Sequence, residues 1–242
     1  MRGTMANTND VVLSKETLEA IKKVFNVNQA LLIQPNEKAL RCRAENARMA
    51  VNVPIVEEFP CQVALYDVRE FFNVVKIINE PILNFDDQGV IKIRSQDGTQ
   101  VLKYTTGKPA LIQSYFENDP KMGDPDVVAK ITADQFKSAQ SAAGVMDLKY
   151  LGFECDGDKL SLVAFNRNNG SDNTTNHYSI EIGEHDTALL MYFALSTGDI
   201  RALNDEGDLE FHITSSKKCR VECQSGKTFW LAMESKSTYG TR

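Results

Sequence analysis

The 242-residue sequence predicts an α+β protein made of one unit written twice, each copy an antiparallel sheet with two helices on one face. Three observations predict it. Helical and strand periodicities alternate along the whole chain. Pro109, Pro120, Pro125 and Gly123 punctuate residues 108–125, the signature of an interdomain linker. Beyond that stretch the pattern restarts: Asp126-Val127-Val128 echoes Asp10-Val11-Val12, and Thr132 stands where Ser14 stood. The predicted division is a first domain over 10–107, the linker, and a second domain over 126–236.

The elements follow in order. Ser14 to Val27 reads as a helix with Leu18, Ile21 and Phe25 at i, i+3 and i+7, Val24 beside them, and Ser14 as its cap. Strand signals follow at Ala30 to Ile33, Leu40 to Ala44, Met49 to Val56 and Cys61 to Tyr66, with Pro54 marking an edge or bulge. Asp67 caps a second helix, Val68 to Asn79, with Phe71, Phe72, Val75 and Ile78 inward. Ile82 to Asp86, Val90 to Arg94 and Gln100 to Thr105 are strands joined by turns at Asp87-Gln88-Gly89 and Asp97-Gly98. In the linker, Leu111, Ile112, Tyr115 and Phe116 are too apolar for a free tether, so it should pack on something.

In the second copy, Thr132-x-x-Gln135 is a capping box for the helix Ala133 to Val145, with Phe136 and Ala139 or Ala143 inward. Strands follow at Leu148 to Cys155, Leu160 to Arg167, His177 to Ile182 and Leu189 to Ala194, with a tight turn at Asp156-Gly157. A short helix covers Ser196 to Leu203. Leu209 to Thr214, Lys218 to Cys223 and Thr228 to Met233 complete the copy, and Leu209, Phe211 and Ile213 alternate with polar neighbours. Each copy thus reads helix, four strands, helix, three strands, with an entering strand in the second.

Composition narrows the function classes. The chain is 42% hydrophobic and 25% charged with a net charge of −6, which fits a globular protein and excludes disorder, collagen and coiled coil. No apolar run approaches the ~18 residues of a membrane helix, and the polar first ten residues hold no secretory core. Met1-Arg2-Gly3-Thr4 ahead of Met5 reads as an added leader. Cys42, Cys61, Cys155, Cys219 and Cys223 are odd in number and match no disulfide framework, which suits a reducing compartment. Asn169-Gly170-Ser171 and Asn173-Thr174-Thr175 then read as a polar loop.

Catalytic motifs find no support. Gly226-Lys227-Thr228 ends like a phosphate-binding loop, but Val221 stands where that pattern needs glycine, and a strand follows instead of a helix. Cys219 and Cys223 share a strand face with His212 on the neighbouring strand, which falls short of a zinc site and reads better as small buried side chains. His177 and His185 lie near strand ends, and no nucleophile motif occurs. Asp86-Asp87 and Asp205-Glu206 read as solvated turn residues. No catalytic residue, metal or cofactor is expected. A hydrolase using scattered carboxylates and a generic interaction module remain the alternatives.

Charge is distributed unevenly. Residues 1–120 hold 14 basic and 15 acidic side chains, residues 121–242 hold 13 and 18. Lys15, Lys22, Lys23, Arg69, Lys76, Lys137 and Arg201 all fall on helices. If several subunits close a ring with helices inward, these cations line the hole, whereas scattered solvated lysines are the plainer account of the spacing.

Five segments stand out: Leu13-Ser14-Lys15-Glu16-Thr17, Arg43-Ala44-Glu45-Asn46, Val63-Ala64-Leu65-Tyr66-Asp67-Val68 with Phe71, Ala164-Phe165-Asn166-Arg167, and Leu231-Ala232-Met233-Glu234-Ser235. Together they resemble the sliding clamps, the DNA polymerase processivity factors of T-even-type bacteriophages and their cyanophage relatives. The likeness runs from about Leu13 to Ser237. It implies two DNA-clamp domains per chain and a homotrimer forming a pseudo-sixfold ring around double-stranded DNA. It also implies a polymerase partner, an ATP-driven clamp loader, no enzymatic activity, and work in the cytoplasm of an infected bacterium. The seven helical cations would then face DNA through weak, sequence-independent phosphate contacts. One departure stands out: arginines common on the family's first helix of the second domain are replaced here by Lys137, Gln140 and Ser141. The resemblance further implies an apolar groove for partner peptides, with Tyr115, Phe116, Phe229, Leu231 and Met233 as its candidates. Subunits would join by pairing Gln100–Thr105 with His177–Ile182 of a neighbour, placing Leu102, Tyr104, Tyr178 and Ile180 at the interface.

Overall fold

Ser14 shows how the sequence starts an element. Its backbone is still extended, outside the helical region, while its hydroxyl accepts a hydrogen bond from the Thr17 amide at 3.1 Å and opens the first turn. The computed structural model describes residues 9–86, 88–156, 159–166, 176–184 and 189–241. Asp87, the Asp156-Gly157 turn, Arg167, both sequon-like triplets, His185 and Met1-Arg2-Gly3-Thr4 lie wholly or partly outside them. The chain divides into two compact units, Met1–Asp119 and Pro120–Arg242.

The first unit runs β1 (Asp10–Val12), α1 (Lys15–Phe25), β2 (Leu31–Ile33), β3 (Ala39–Arg43), β4 (Met49–Pro54), β5 (Val63–Leu65), α2 (Val68–Val75), β6 (Ile82–Asn84), β7 (Val90–Arg94) and β8 (Val101–Thr105). β1, β6, β7 and β8 form an antiparallel sheet in that order, with β8 outermost. β2 pairs with β5, and β3 with β4.

The second unit runs β9 (Val127–Ile131), α3 (Ala133–Val145), β10 (Tyr150–Asp156), β11 (Lys159–Phe165), β12 (His177–Glu184), β13 (Leu189–Ser196), α4 (Thr197–Ile200) with a 3-10 turn over Arg201–Leu203, β14 (Leu209–Ile213), β15 (Lys218–Cys223), β16 (Thr228–Ala232) and β17 (Thr238–Thr241). Its pairings repeat those of the first. β9 joins β14 as β1 joins β6, β10 joins β13 as β2 joins β5, and β11 joins β12 as β3 joins β4. The ladder β14–β15–β16 matches β6–β7–β8. The duplication is therefore more complete than the sequence alone implies, because both copies have an entering strand.

The helices bury apolar stripes, α1 packing on β3 and β4 and α3 on β10, β11 and β12. In α1 the buried residues are Thr17, Ala20, Ile21 and Val24, while Leu18 and Phe25 are half-buried. The stripe is thus rotated from the expected Leu18–Ile21–Phe25 line, because a carboxylate satisfies the Thr17 hydroxyl and lets it go inside. Glu57, in the loop after β4, accepts bonds from the Ser14 amide at 2.6 Å and from the Thr17 hydroxyl. Burial alone would raise the Glu57 pKa, but these hydrogen bonds outweigh it and hold the carboxyl below its ordinary range.

α2 starts as expected on Asp67, whose Oδ1 accepts from the Glu70 amide at 2.9 Å. It ends at Val75 rather than Asn79. Pro81 disfavours helical backbone at Glu80, which turns to φ 48°. Ile78 still reaches the core from the turn, and Phe72 stays half-buried. In α3 the capping box of Thr132 and Gln135 forms, and Phe136, Ala139 and Ala143 are all buried. The expected helix from Ser196 is a short α-turn followed by a 3-10 turn, capped by Ser196 itself.

Two features of the second unit had no clear sequence signal. β17 adds an edge to β13, with Tyr239 stacked on Phe193 at 5.9 Å and the Ala194 amide donating to Ser237 Oγ at 3.1 Å. Glu206, expected in solvent, is fully buried and bound to Lys227 at 2.7 Å and Ser225 at 2.5 Å. Gly152 in β10 meets a different constraint: a Cβ there would lie 2.0 Å from the Phe193 carbonyl oxygen.

The expected packing of the apolar linker is observed in its first part. The Arg43 amide donates to the Ser114 carbonyl at 2.7 Å, the Arg43 guanidinium to the Gln113 carbonyl at 2.9 Å, and Ser114 Oγ to the Ala30 carbonyl at 2.8 Å. Ile112 and Tyr115 pack against Leu32 and Ala64.

Candidate nucleic-acid and partner surfaces

The helices place most of the seven cations in solvent. Lys15 and Lys22 of α1, Arg69 of α2, Lys76 at its end, Lys137 of α3 and Arg201 after α4 are exposed, and Lys23 is half-buried. Their environments differ. Lys22 is drawn to Glu19 at 3.2 Å, an exposed pair worth little. Arg69 reaches from α2 to α1, with its guanidinium carbon 4.3 Å from the centroid of the Phe25 ring. Lys76 sits with its ammonium 4.7 Å from the Phe72 ring centroid, one turn back on the same helix. Among the described residues neither Arg69 nor Lys76 forms a salt bridge. The half-buried rings of Phe25 and Phe72, expected inward from the sequence, therefore back two of the candidate cations.

In the second unit α3 itself contributes only Lys137. A cleft of about 290 Å³ lies between α3 and α4, lined by Gln140, Asp147, Lys149, Arg201 and Asn204. It brings Arg201 near a cation absent from the sequence-derived set: Lys149 follows the helix in a segment with strand character, so no helical spacing marks it. Lys149 is bonded to Asp147 at 2.5 Å, and Gln140 to Asn204 at 2.6 Å.

The proposed interface residues occupy edge strands. β8 is outermost in its sheet and alternates exposed with half-buried residues, as does β12 in the sheet β12–β11–β10–β13–β17. Leu102 and Tyr104 are the half-buried members of β8, and the Tyr104 ring meets Phe71 edge-on at 5.2 Å. Tyr178 and Ile180 hold the same place in β12, where the Tyr178 hydroxyl lies 2.8 Å from Ser138 of α3. These side chains lean toward their own unit, leaving backbone and alternate side chains at the edge.

Of the groove candidates, Tyr115 is half-buried, its hydroxyl donating to Glu37 at 2.9 Å. Burial first, and then the Glu37 carboxylate, push that phenol up to about 12. Phe116 is half-buried with Arg41 5.9 Å from its ring. Phe229, Leu231 and Met233 are buried.

The chemical motifs resolve into structure. Gly226 turns at φ 81° in the β15–β16 hairpin, and Lys227 is committed to Glu206. Cys219 and Cys223 face the core, and burial pushes the Cys219 thiol up. His212 pairs across the sheet with Arg220 and so lies on the opposite face, 3.2 Å from Glu210. Among the described residues no cluster of histidine, cysteine and carboxylate side chains could hold a metal, and no helix is long and apolar enough to cross a membrane.

The fold recurs in known proteins. A. fulgidus PCNA, solved with the C-terminal region of FEN-1 bound, superposes with a TM-score of 0.66 over 94% of this chain and 99% of its own, at 17% identity. The sliding clamp of Escherichia phage RB69 is 20% identical over 229 residues, 94% of this chain and 98% of its own. That of Vibrio phage KVP40 is 19% identical over 83% of this chain and 90% of its own. No protein-family model matches the chain. The sliding clamp of Enterobacteria phage T4 is similar to the same degree, 19% identical over 78% of this chain and 82% of its own. The chain thus has two repeated units in a fold shared across nearly the full length of A. fulgidus PCNA.

Proposed function

We propose that this protein is a sliding clamp of the T-even bacteriophage type, a homotrimer closed around double-stranded DNA with its helices toward the duplex. The observation that carries the proposal is the repeated unit with an open sheet edge at β8 in one copy and at β12 in the other. Joining β8 to β12 of a neighbour satisfies backbone groups that an edge leaves to solvent. Repeating that head-to-tail step closes a ring when the rotation suits. The domains proposed for this role are 10–107 and 126–236, joined through 108–125.

Such a ring works by topology. It slides but does not diffuse away sideways, and so keeps its polymerase at high effective concentration. Lys15, Lys22, Lys23, Arg69, Lys76, Lys137 and Arg201 would supply weak phosphate contacts that carry no sequence information. A net charge of −6 per chain becomes about −18 in the trimer, so DNA would be accepted only along the helix-lined passage. Opening requires an ATP-driven clamp loader. The partner-peptide groove is proposed at Tyr115, Phe116, Phe229, Leu231 and Met233, and the bound C-terminal region in the A. fulgidus complex supports this mode of partner attachment. The site of action is the cytoplasm of an infected bacterium.

Light scattering should give about 81 kDa, three times the 27.0 kDa chain. Leu102→Pro or Ile180→Pro should give monomers by removing a ladder donor at the edge, and an unchanged trimer mass would refute the edge pairing. On primed circular DNA the protein should lengthen a cognate phage polymerase's products only with loader and ATP. Equal stimulation without a loader would overturn the topological mechanism.

A further inference from the structure

Phe25 is an unusual residue for its position. The core-facing stripe of α1 is Thr17, Ala20, Ile21 and Val24, and Phe25 lies off it, half-buried. The ring's partner is the guanidinium of Arg69, 4.3 Å from its centroid and borne on the other helix. α2 repeats the device with Phe72 beneath Lys76, at 4.7 Å. A cation over an aromatic face is attracted by the ring's quadrupole while its outward donors remain open. No described carboxylate competes for Arg69 or Lys76 through a salt bridge, in contrast to Lys22 with Glu19.

We propose that Phe25 is a positioning residue for DNA contact: its ring holds the Arg69 guanidinium raised from the helix layer, ready for a backbone phosphate. This inference rests on the reading that the helices face DNA. The physical case is preorganisation. An exposed arginine samples many rotamers and must be ordered on each contact, whereas an arginine seated on a ring has much of that ordering done beforehand. The ring does so without a salt bridge to a carboxylate, the charge of nearby Asp67 acting on Arg69 only from a distance. In a sliding protein this matters because each phosphate contact is made and broken repeatedly.

The test uses the full chain and a short duplex able to thread the ring, with binding followed by fluorescence anisotropy across a salt series. The slope of log K against log salt counts phosphate contacts, at about 0.9 per contact on B-form DNA. Arg69→Ala should flatten the slope by about 0.9 for each phosphate that Arg69 neutralises. Phe25→Leu, which keeps an apolar side chain and removes the ring, should flatten it by the same amount. The double variant should do no worse than Arg69→Ala, and Phe25→Trp should restore the slope. The Arg69 Nε–H proton signal should move on Phe25→Leu as the ring current vanishes. If Phe25→Leu keeps the wild-type slope while Arg69→Ala flattens it, the positioning role is overturned and the DNA-facing reading stands. If Arg69→Ala itself changes nothing, the DNA-facing reading of α2 is what failed, and the inference falls with it. A larger loss in Phe25→Leu than in Arg69→Ala would mark general distortion and also overturn the proposal.

Discussion

Replacing Glu57 by alanine should loosen α1 far more than loss of a surface carboxylate. Glu57 accepts from the Ser14 amide at 2.6 Å and from the hydroxyl of fully buried Thr17. Hydrogen bonds to a charged group contribute about 1.5–3 kcal/mol each. Because Glu57 is only half-buried, the lower end applies, giving about 3 kcal/mol for the two. At 1.4 kcal/mol per decade this corresponds to an increase of about 150-fold in amide exchange. Hydrogen exchange at Leu18 and Ile21 reads the loss locally, free of the complication of two units unfolding separately. Thr17→Val should rescue part of it, since removing both partners leaves no buried hydroxyl unsatisfied.

The same pair predicts a pH dependence. Hydrogen bonding holds the folded Glu57 carboxyl below its ordinary value of 4.5. The stabilisation is therefore complete above that pH and is lost as pH falls through the folded value. The gap between wild type and Glu57→Ala should be widest near neutrality and narrow toward pH 3. Exchange rates within twofold of each other at pH 7, or a gap that does not change with pH, would refute the assignment of Glu57 as the staple of α1.

Three further outcomes are expected. Lys227→Met should cost about 3 kcal/mol in urea unfolding, because it removes the Lys227 ammonium from the buried Glu206 carboxylate and leaves Ser225 as its donor; Glu206→Gln in the same chain should recover part of it. Gly152→Ala should destabilise by about 1–3 kcal/mol, since its Cβ meets the Phe193 carbonyl oxygen at 2.0 Å and backbone must shift. Gly144→Ala, on the open face of α3 with nothing within 4 Å, should instead stabilise by up to about 1 kcal/mol, and a loss of midpoint would contradict the geometry.

The order of elements was legible because each carries a local cause. Ser14, Asp67 and Thr132 cap helices where their side chains reach the first turn, and Leu209, Phe211 and Ile213 alternate as a half-buried strand must. What was illegible depends on contacts distant in sequence. Thr17 reads as polar until Glu57, 40 residues away, supplies its partner. Glu206 reads as a turn carboxylate until the hairpin brings Lys227 to it. β17 has no alternation of its own and is defined by the strand it joins. The cations could be assigned to helices from spacing, yet the ring beneath Arg69 comes from a different helix, and Lys149 joins Arg201 only through the cleft.

In the proposed joint, the unlike edges at β8 and β12 would make each subunit a directional, bivalent building block. Growth by such a contact has two ends, and each open end is a template for the next copy. Closure at three subunits, as proposed, would consume both ends, so the ring would also be the state in which polymerisation stops. On that proposal a subunit damaged at β8 alone would retain β12 and become a chain terminator. Mixing it with intact protein should shorten assemblies in proportion to its share.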